Sequence, residues 1–201
     1  PDPDPRALVS IVIPAYGEEA TIEHVLRRVC ALDLRTEVIV VDDGSKDGTV
    51  ARVEALVPEL GTVRLLRHER NRGKGAAVRT GIQASTGDLV VIQDADLEYD
   101  PRDLPKLLAP LLEGVADAVY GTRLRGGEPQ RAHLFWHYAG NRLLSLMTNV
   151  LYNTTISDME VGYKAFRGDL IRSIHLVSNV FRFESEVTAK IFKRLDIRLY
   201  E

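Results

Sequence analysis

The sequence is poor in cysteine, in tryptophan and in long apolar runs, and each shortage removes a class of protein. With one cysteine, Cys30, no internal disulfide can form. It sits in the helical pattern HVLRRVC, reads as an inert packed thiol, and suits a reducing, cytoplasmic setting. No apolar run reaches the roughly 18 residues that a membrane-spanning helix needs, and no signal peptide opens the chain. Net charge is −3, so no overall basic field points to nucleic acid. Internal repeats, low-complexity tracts and interdomain linkers are missing too. What is present, 201 residues of which 45% are hydrophobic and 27% charged, suffices for a single domain with a sizeable core. Residues 1–8, beginning PDPDPR, read as an extended leader and 9–201 as that domain. The last stretch, RLDIRLYE, stops on a strand-like pattern, from which a longer natural chain is expected.

The first half alternates strand and helix. VSIVIP (Val9–Pro14), EVIVVDD, TVRLLRH and DLVVIQD are strands; a helix from about Glu18 to Leu32, then DGTVARVEALV and GKGAAVRTGIQAS, are the helices between them. Asp47 is the expected N-cap of the second helix. Strands this continuous in Val, Ile and Leu are buried on both faces, which predicts a mostly parallel sheet under helices, an α/β three-layer sandwich. Further on, RDLPKLLAPLLEG reads as a helix broken by Pro105 and Pro110, ADAVYGTR as a strand, AHLFWHYAGNRLLSLMTNVLY as a long apolar helix, and FESEVTAKIFKR as an acidic-basic one.

Parallel sheets bind ligands beyond the carboxyl ends of their strands, and PAYGEE, DDGSKDG, ERNRGKG and DADLEYD all lie there. Asp94 and Asp96 flank Ala95 at a strand end, where alternate residues share a side. Both can meet one hard cation, with Glu98 as a third oxygen donor, and an oxygen-only set selects Mg²⁺ or Mn²⁺. The plainer alternative is aspartate used in turns and caps. Asp43 can accept hydrogen bonds from a base or ribose, or simply form an Asx turn. Gly73, Lys74 and Gly75 fail the dinucleotide fingerprint, because Val78 stands where the third glycine belongs, yet can bring N–H groups and a cation to a diphosphate. Their plainer role is a tight start to a helix. Arg123 ends the fifth strand on the same rim, to meet a diphosphate or a neighbouring acid. His133 and His137, one turn apart, lack a third ligand for zinc; they can hold an anion or pack beside Trp136. Asp158 and Glu160 are candidate bases, while Glu184 and Glu186 read as helix-start acids. Asn153-Thr154-Thr155 matches a glycosylation sequon without meaning in a cytosolic chain.

Taken in order, IVIPAYGEE, VIVVDDGSKDGT, RNRGKGAAVRTGI, VIQDADLEYDP, VYGTR and SDMEVGYKAFR resemble the family-2 inverting glycosyltransferases of the GT-A (Rossmann-like) fold, from about Val9 to the last residue. Within that family the chain is most similar to the dolichyl- or polyprenyl-phosphate mannosyl- and glucosyltransferases. The resemblance implies that Pro14, Tyr16 and Glu18 line the nucleotide pocket and that Val41 and Asp43 contact base and ribose. It places Asp94, Ala95 and Asp96 at the sugar-diphosphate, gives the metal to Asp96 and Glu98, and sets Arg123 at a phosphate. The expected partners are a nucleotide-sugar donor, UDP- or GDP-linked, and a polyprenyl phosphate in a membrane. Leu134, Phe135, Trp136, Leu143, Leu144 and Met147 can then rest on the bilayer's cytoplasmic face, or pack in the core or against a second copy. A phosphate acceptor needs no base; a hydroxyl of a glycan does, and Asp158 is the first choice. His133 and His137 stand where such relatives carry arginine and serine, which keeps the hydroxyl acceptor in play. A nucleotide-binding module without catalysis and, less well supported by the failed fingerprint, a nicotinamide oxidoreductase are the readings from other classes.

Overall fold

The computed structural model describes residues 7–122, 135–159, 161–179, 183–194 and 196–201, with backbone alone for 135–139. The PDPDPR segment lies outside them. The first half builds as the pattern predicts: β1 (Val9–Ala15), α1 (Ile22–Cys30), β2 (Thr36–Asp42), α2 (Thr49–Leu60), β3 (Val63–Arg67), α3 (Lys74–Ala84) and β4 (Leu89–Ile92). Then come α4 (Leu104–Leu112), β5 (Ala118–Tyr120), α5 (Phe135–Tyr152), β6 (Lys164–Arg167), α6 (Gly168–Ser173), α7 (Phe183–Phe192) and β7 (Leu199–Tyr200).

Among the described residues the strands form one sheet in the order β3-β2-β1-β4-β6-β5-β7. β6 alone runs antiparallel to its neighbours β4 and β5, and every other pairing is parallel. The expected mostly parallel α/β sandwich is therefore borne out. Val12 pairs in register with Ile39 on one side and Ile92 on the other. Strand residues alternate between faces, so Val38 and Val40 meet the α1–α2 layer while Ile39 and Val41 meet Ala77 of α3. Every one of these β1 and β2 residues is fully buried, which is why both strands are continuous runs of Val and Ile. Gly81 lets α3 lie close on the sheet, since a Cβ there would run into Val12.

Three local readings are corrected. α1 starts at Ile22 and not near Glu18, because the backbone of 17–19 is spent on the neighbouring loop: Gly17 N–H donates to Ser45 Oγ (3.0 Å) and Glu18 N–H to Thr49 Oγ1 (2.9 Å). Asp47 is not the N-cap of α2. Gly48 holds that position, and Asp47 accepts from the N–H (3.1 Å) and hydroxyl (2.6 Å) of Thr49 just inside the helix. The prolines do not break α4: Pro105 falls in its first turn, where no N–H is needed, and Pro110 is accommodated near its end. β6 and α6 were not anticipated at all.

Strand order reverses between β1 and β4, and the gap that opens beyond their carboxyl ends is where such sheets place a ligand. The loops after β1, β2, β3 and β4 converge there.

Candidate active site

The loops after β1, β2 and β3 enclose a cavity of about 620 Å³ whose wall includes Tyr16, Asp42, Gly44, Ser45, His68 and Asn71. Such a volume suits a nucleoside-sized ligand. Gly44 has φ +79°, and a Cβ there would lie 2.6 Å from the Arg70 carbonyl carbon, so the β2 and β3 loops can close on each other only with glycine at this point. Asp42 fixes the turn by accepting from the N–H groups of Gly44 (3.2 Å) and Ser45 (3.3 Å).

Asp43 has a different task. It is buried, and its carboxylate accepts from the N–H of Arg72 (3.0 Å) and Gly73 (2.7 Å) and from the His68 ring at Nδ1 (2.6 Å). With that proton on Nδ1, Nε2 accepts from the Thr80 hydroxyl (3.0 Å). One carboxylate thus shapes the whole approach to α3. Of the residues expected at the nucleotide, Tyr16 is half exposed on the cavity wall; Val41 is fully buried against α3, and Pro14 and Glu18 are partly buried. Glu18 accepts the Thr21 hydroxyl (2.7 Å) at the foot of the first loop. Asp42 and His68, both on the wall, were missed, although Asp42 stands beside the residue that was chosen.

Beyond β4 lies the acidic run. Asp100 is accounted for structurally: Arg102 and Arg28 hold its carboxyl down to about 2, and it caps the turn leading into α4. Asp94 is mostly buried and pairs through Oδ1 with Lys74 Nζ (2.7 Å), the first residue of α3, which also lies 3.5 Å from Glu184. Burial lowers the Lys74 pKa, but the Asp94 and Glu184 carboxylates outweigh it and leave it raised. Ala95 is buried, whereas Asp96 and Glu98 are exposed, with Asp96 Oδ1 accepting from the Glu98 N–H (3.0 Å). Leu97 between them has φ +62°, a conformation a leucine adopts at a cost of order 1 kcal/mol and of the kind that clusters at functional loops. Among the described residues no three His, Cys, Asp or Glu side chains converge on one cation position.

Under this loop sits a charge that sequence reading did not find. Lys164, the first residue of β6, is buried, donates to the Val161 carbonyl, and lies 4.9 Å above the Tyr120 ring. Burial pushes its pKa down to about 8 against the pull of Glu184 and Asp158. A lysine between Tyr163 and Ala165 in an apolar stretch was a usable signal, because lysine is almost never buried without a partner. Glu184 is the helix-start acid expected, in the first turn of α7, and its side chain also reaches Lys74, which no local pattern showed. Tyr99 and Tyr163 stack at 4.6 Å, Tyr99 Oη accepts from Gly162 N–H (2.9 Å), and Tyr163 donates to Gln93 (2.7 Å). This platform supports the Asp94 loop from below.

Asp158 is fully buried, and its Oδ1 accepts from Asn141 Nδ2 of α5 (2.7 Å) while its N–H donates to Glu201 Oε1 (3.1 Å). Arg123, His133, Glu160 and the His137 side chain lie outside the described residues.

The model of the family described as Glycosyl transferase family 2 matches residues 10–174. The chain is 29% identical over 187 residues to the dodecaprenyl-phosphate galacturonate synthase of Rhizobium johnstonii, across 90% of this chain and 54% of that protein. It is 32% identical over 177 residues to the undecaprenyl-phosphate 4-deoxy-4-formamido-L-arabinose transferase of Pseudomonas aeruginosa, across 86% and 50%. It therefore spans about half the length of these curated relatives. Among solved structures it is similar to the glucosyl-3-phosphoglycerate synthase of Mycobacterium tuberculosis in complex with Mn²⁺, UDP and phosphoglyceric acid, with a TM-score of 0.77 at 27% identity over 97% of this chain and 68% of that one. The same neighbour is known with Mg²⁺ and UDP. Its architecture and this one are both the GT-A fold. By fold, by motif order and by the extent of the match, the chain belongs to glycosyl transferase family 2.

Proposed function

We propose that the chain is the catalytic domain of a metal-dependent inverting glycosyltransferase that moves a sugar from a UDP- or GDP-sugar to a polyprenyl phosphate. The observation that carries this reading is the placement of a nucleoside-sized cavity and a rim of exposed carboxylates, Asp96 and Glu98, around one switch point of the sheet. The polyprenyl-phosphate relatives support the acceptor, and the UDP-bound neighbour supports the nucleotide.

The donor set fits a hard cation. Mg²⁺ and Mn²⁺ are commonly held by one or two carboxylates together with substrate phosphates, so a full cage of protein ligands is not required. Asp96 and Glu98 would hold the ion, with Asp94 beside them, and the ion would supply Lewis-acid stabilisation of the leaving nucleoside diphosphate. The chain's own residues do the rest. Tyr16 offers a half-exposed ring to the base, and Asp43 holds Gly73 and the start of α3 so that Lys74 is aimed at the diphosphate. Arg123 adds a second cation at a phosphate. A single in-line displacement inverts the anomeric carbon. An acceptor phosphate brings its own negative charge, so the burial of Asp158 in contact with Asn141 is no obstacle to transfer. A polyprenyl phosphate acceptor would place this work at the surface of a membrane.

A hydroxyl acceptor is the second reading, supported by likeness to a neighbour solved with phosphoglyceric acid. It requires a base, and Asp158→Asn would then abolish transfer while sparing donor binding. The test offers labelled UDP- and GDP-sugars with polyprenyl phosphate and Mn²⁺ or Mg²⁺. Label should enter the organic phase and fall on the order of a hundredfold or more in Asp96→Ala. Metal-independent nucleotide binding with no transfer to any acceptor would instead make the chain a non-catalytic module.

A further inference from the structure

A row of side chains crosses the sheet beneath α3 and α7, and one charge lies in it. In-register neighbours on adjacent strands point to the same face. The pairings Ile39↔Val12, Val12↔Ile92, Ile92↔Lys164 and Lys164↔Tyr120 therefore align five side chains, none more than 2% exposed. An ammonium is out of place in such a row unless other charges answer it. Here a ring of contacts closes around it. Lys164 donates to the Val161 carbonyl and stands over the Tyr120 ring. The Thr188 hydroxyl of α7 is spent on the Glu184 carbonyl (2.8 Å), so Tyr120 Oη donates to Thr188 Oγ1 (3.0 Å). Glu184 Oε1 lies 3.5 Å from Lys74 Nζ, and Lys74 pairs with Asp94 at 2.7 Å. Asp94 Oδ2 in turn rests against Gly162, next to Val161, where a Cβ would meet it at 2.5 Å.

We propose that Lys164 is a positioning residue for the donor: it holds the Val161 carbonyl and supplies the fixed positive charge that offsets Glu184 and Asp94, leaving Lys74 able to meet the diphosphate. The inference rests on the sugar-nucleotide reading and adds to it a residue buried beneath the site. A comparison of the two lysines shows the need. The Lys74 side chain is 23% exposed and starts a helix at the rim, so it can turn to a ligand; Lys164 is 1% exposed and cannot. Asp94 and Glu184 both hold Lys74, and the same two carboxylates, with Asp158, act on Lys164. When Lys74 turns to a diphosphate, Glu184, whose side chain is 12% exposed, loses its contact cation. A buried carboxylate in that position takes up a proton or draws the lysine back. Lys164 is the charge that stays behind. Without it the carboxylates would bear on Lys74 alone, and the donor would compete with them for one ammonium.

UDP binding in the presence of Mg²⁺ is measured by calorimetry for the wild-type chain, Lys164→Met, Glu184→Gln and the double variant, with GDP in its place if that is the nucleotide bound. Methionine keeps the length of the side chain and removes its charge. Lys164→Met should bind at least roughly tenfold more weakly, while the same change made in Glu184→Gln should cost less than about threefold, because the carboxylate it would have left unanswered is gone. Unchanged affinity in Lys164→Met, or equal losses in the two backgrounds, overturns the proposal. Should Lys164→Met not fold, pH removes the charge from the intact chain. Glu184 of α7, Lys74 of α3, Tyr120 of β5, Asp94 and Asp158 face Lys164; Lys74 and Tyr120 are both raised above their usual values, and Lys164 loses its proton at about 8. Its charge is present below that pH and lost above it, so wild-type affinity should fall roughly threefold between pH 6.5 and 8.5, and less in Glu184→Gln. A flat profile overturns the proposal. No binding of UDP or GDP by the wild-type chain removes the sugar-nucleotide reading and this inference with it, whereas wild-type binding with equal losses in the two backgrounds removes this inference alone.

Discussion

A single hydrogen atom decides the position of Asp94. Gly162 precedes β6, and a Cβ added to it would lie 2.5 Å from Asp94 Oδ2 and 2.8 Å from Tyr99 Cε2. In Gly162→Ala either the carboxylate or the Tyr99–Tyr163 stack must move. The expected result is a loss of about 1–2 kcal/mol in urea unfolding, typical of overpacking, but a drop of tenfold or more in donor turnover. Unchanged turnover would mean that the observed Asp94 position is not needed for transfer. At this scale the sequence was only partly legible. Asp94 and Asp96 announced themselves by following an apolar strand, as did Tyr16. Lys164 and Glu184 did not, because their neighbourhood is made by segments far apart in the chain. Asp43 was readable as important, but its engagement with Arg72, Gly73 and His68 depends on how the β3 loop folds back, which no local pattern encodes.

Elements were legible where burial is two-sided and hidden where it is not. β1, β2 and β4 are runs of Val and Ile because helices cover both faces. β6 is only Lys-Ala-Phe-Arg, with a charge at each end, and reads as loop; α5 was legible as a long helix, but the side it buries was not, because Asn141, Ser145 and Thr148 face inward. β7 is two residues long, and beside its ladder to β5 the preceding Arg198 is tied to Asp117, the residue just before β5. Arg198 donates to Asp117 from its backbone N–H (2.9 Å), from Nε (2.9 Å) and from Nη2 (3.0 Å), and Arg167 of β6 reaches the same carboxylate (3.3 Å). Arg198 chiefly, with Arg167, holds the Asp117 carboxyl down to about 2 from its usual 3.8. The contact therefore contributes fully above pH ~4 and is lost as pH falls through the folded value near 2. Asp117→Asn should remove that part of the acid sensitivity and cost about 1 kcal/mol near neutral pH, the modest figure reflecting solvent around Arg198. Unfolding followed by circular dichroism between pH 2 and 7 tests this. A slope identical to the wild type's would assign the acid sensitivity to other carboxylates.

For the molecule as a whole, ligand binding and stability are linked. A nucleoside diphosphate that bridges the β1, β2 and β3 loops to the Asp96 loop binds only the folded chain. At a hundredfold excess over its dissociation constant it should stabilise by about 2.7 kcal/mol. For a domain of this size that is a rise in melting temperature of roughly 5–10 °C. The shift should need Mn²⁺ or Mg²⁺ and vanish with a chelator or in Asp96→Ala; a shift that persists without metal would argue against a metal-held diphosphate. Screening UDP and GDP in the same assay would identify the base.

One small contact has a larger consequence. The chain leaves the sheet after β5 and returns at β6, and the two ends of that excursion are pinned side by side, with Gly121 N–H donating to the Tyr163 carbonyl (2.9 Å). α5 and the Asp158 loop lie between these ends, while the cavity of the β1, β2 and β3 loops is built from the other half of the sheet. An excursion of different length or polarity could close on the same clasp without disturbing a strand, since lengthening a closed loop adds little entropic cost. The β5-to-β6 excursion can thus be exchanged as a cassette, by evolution or by design, on strands that stay as they are.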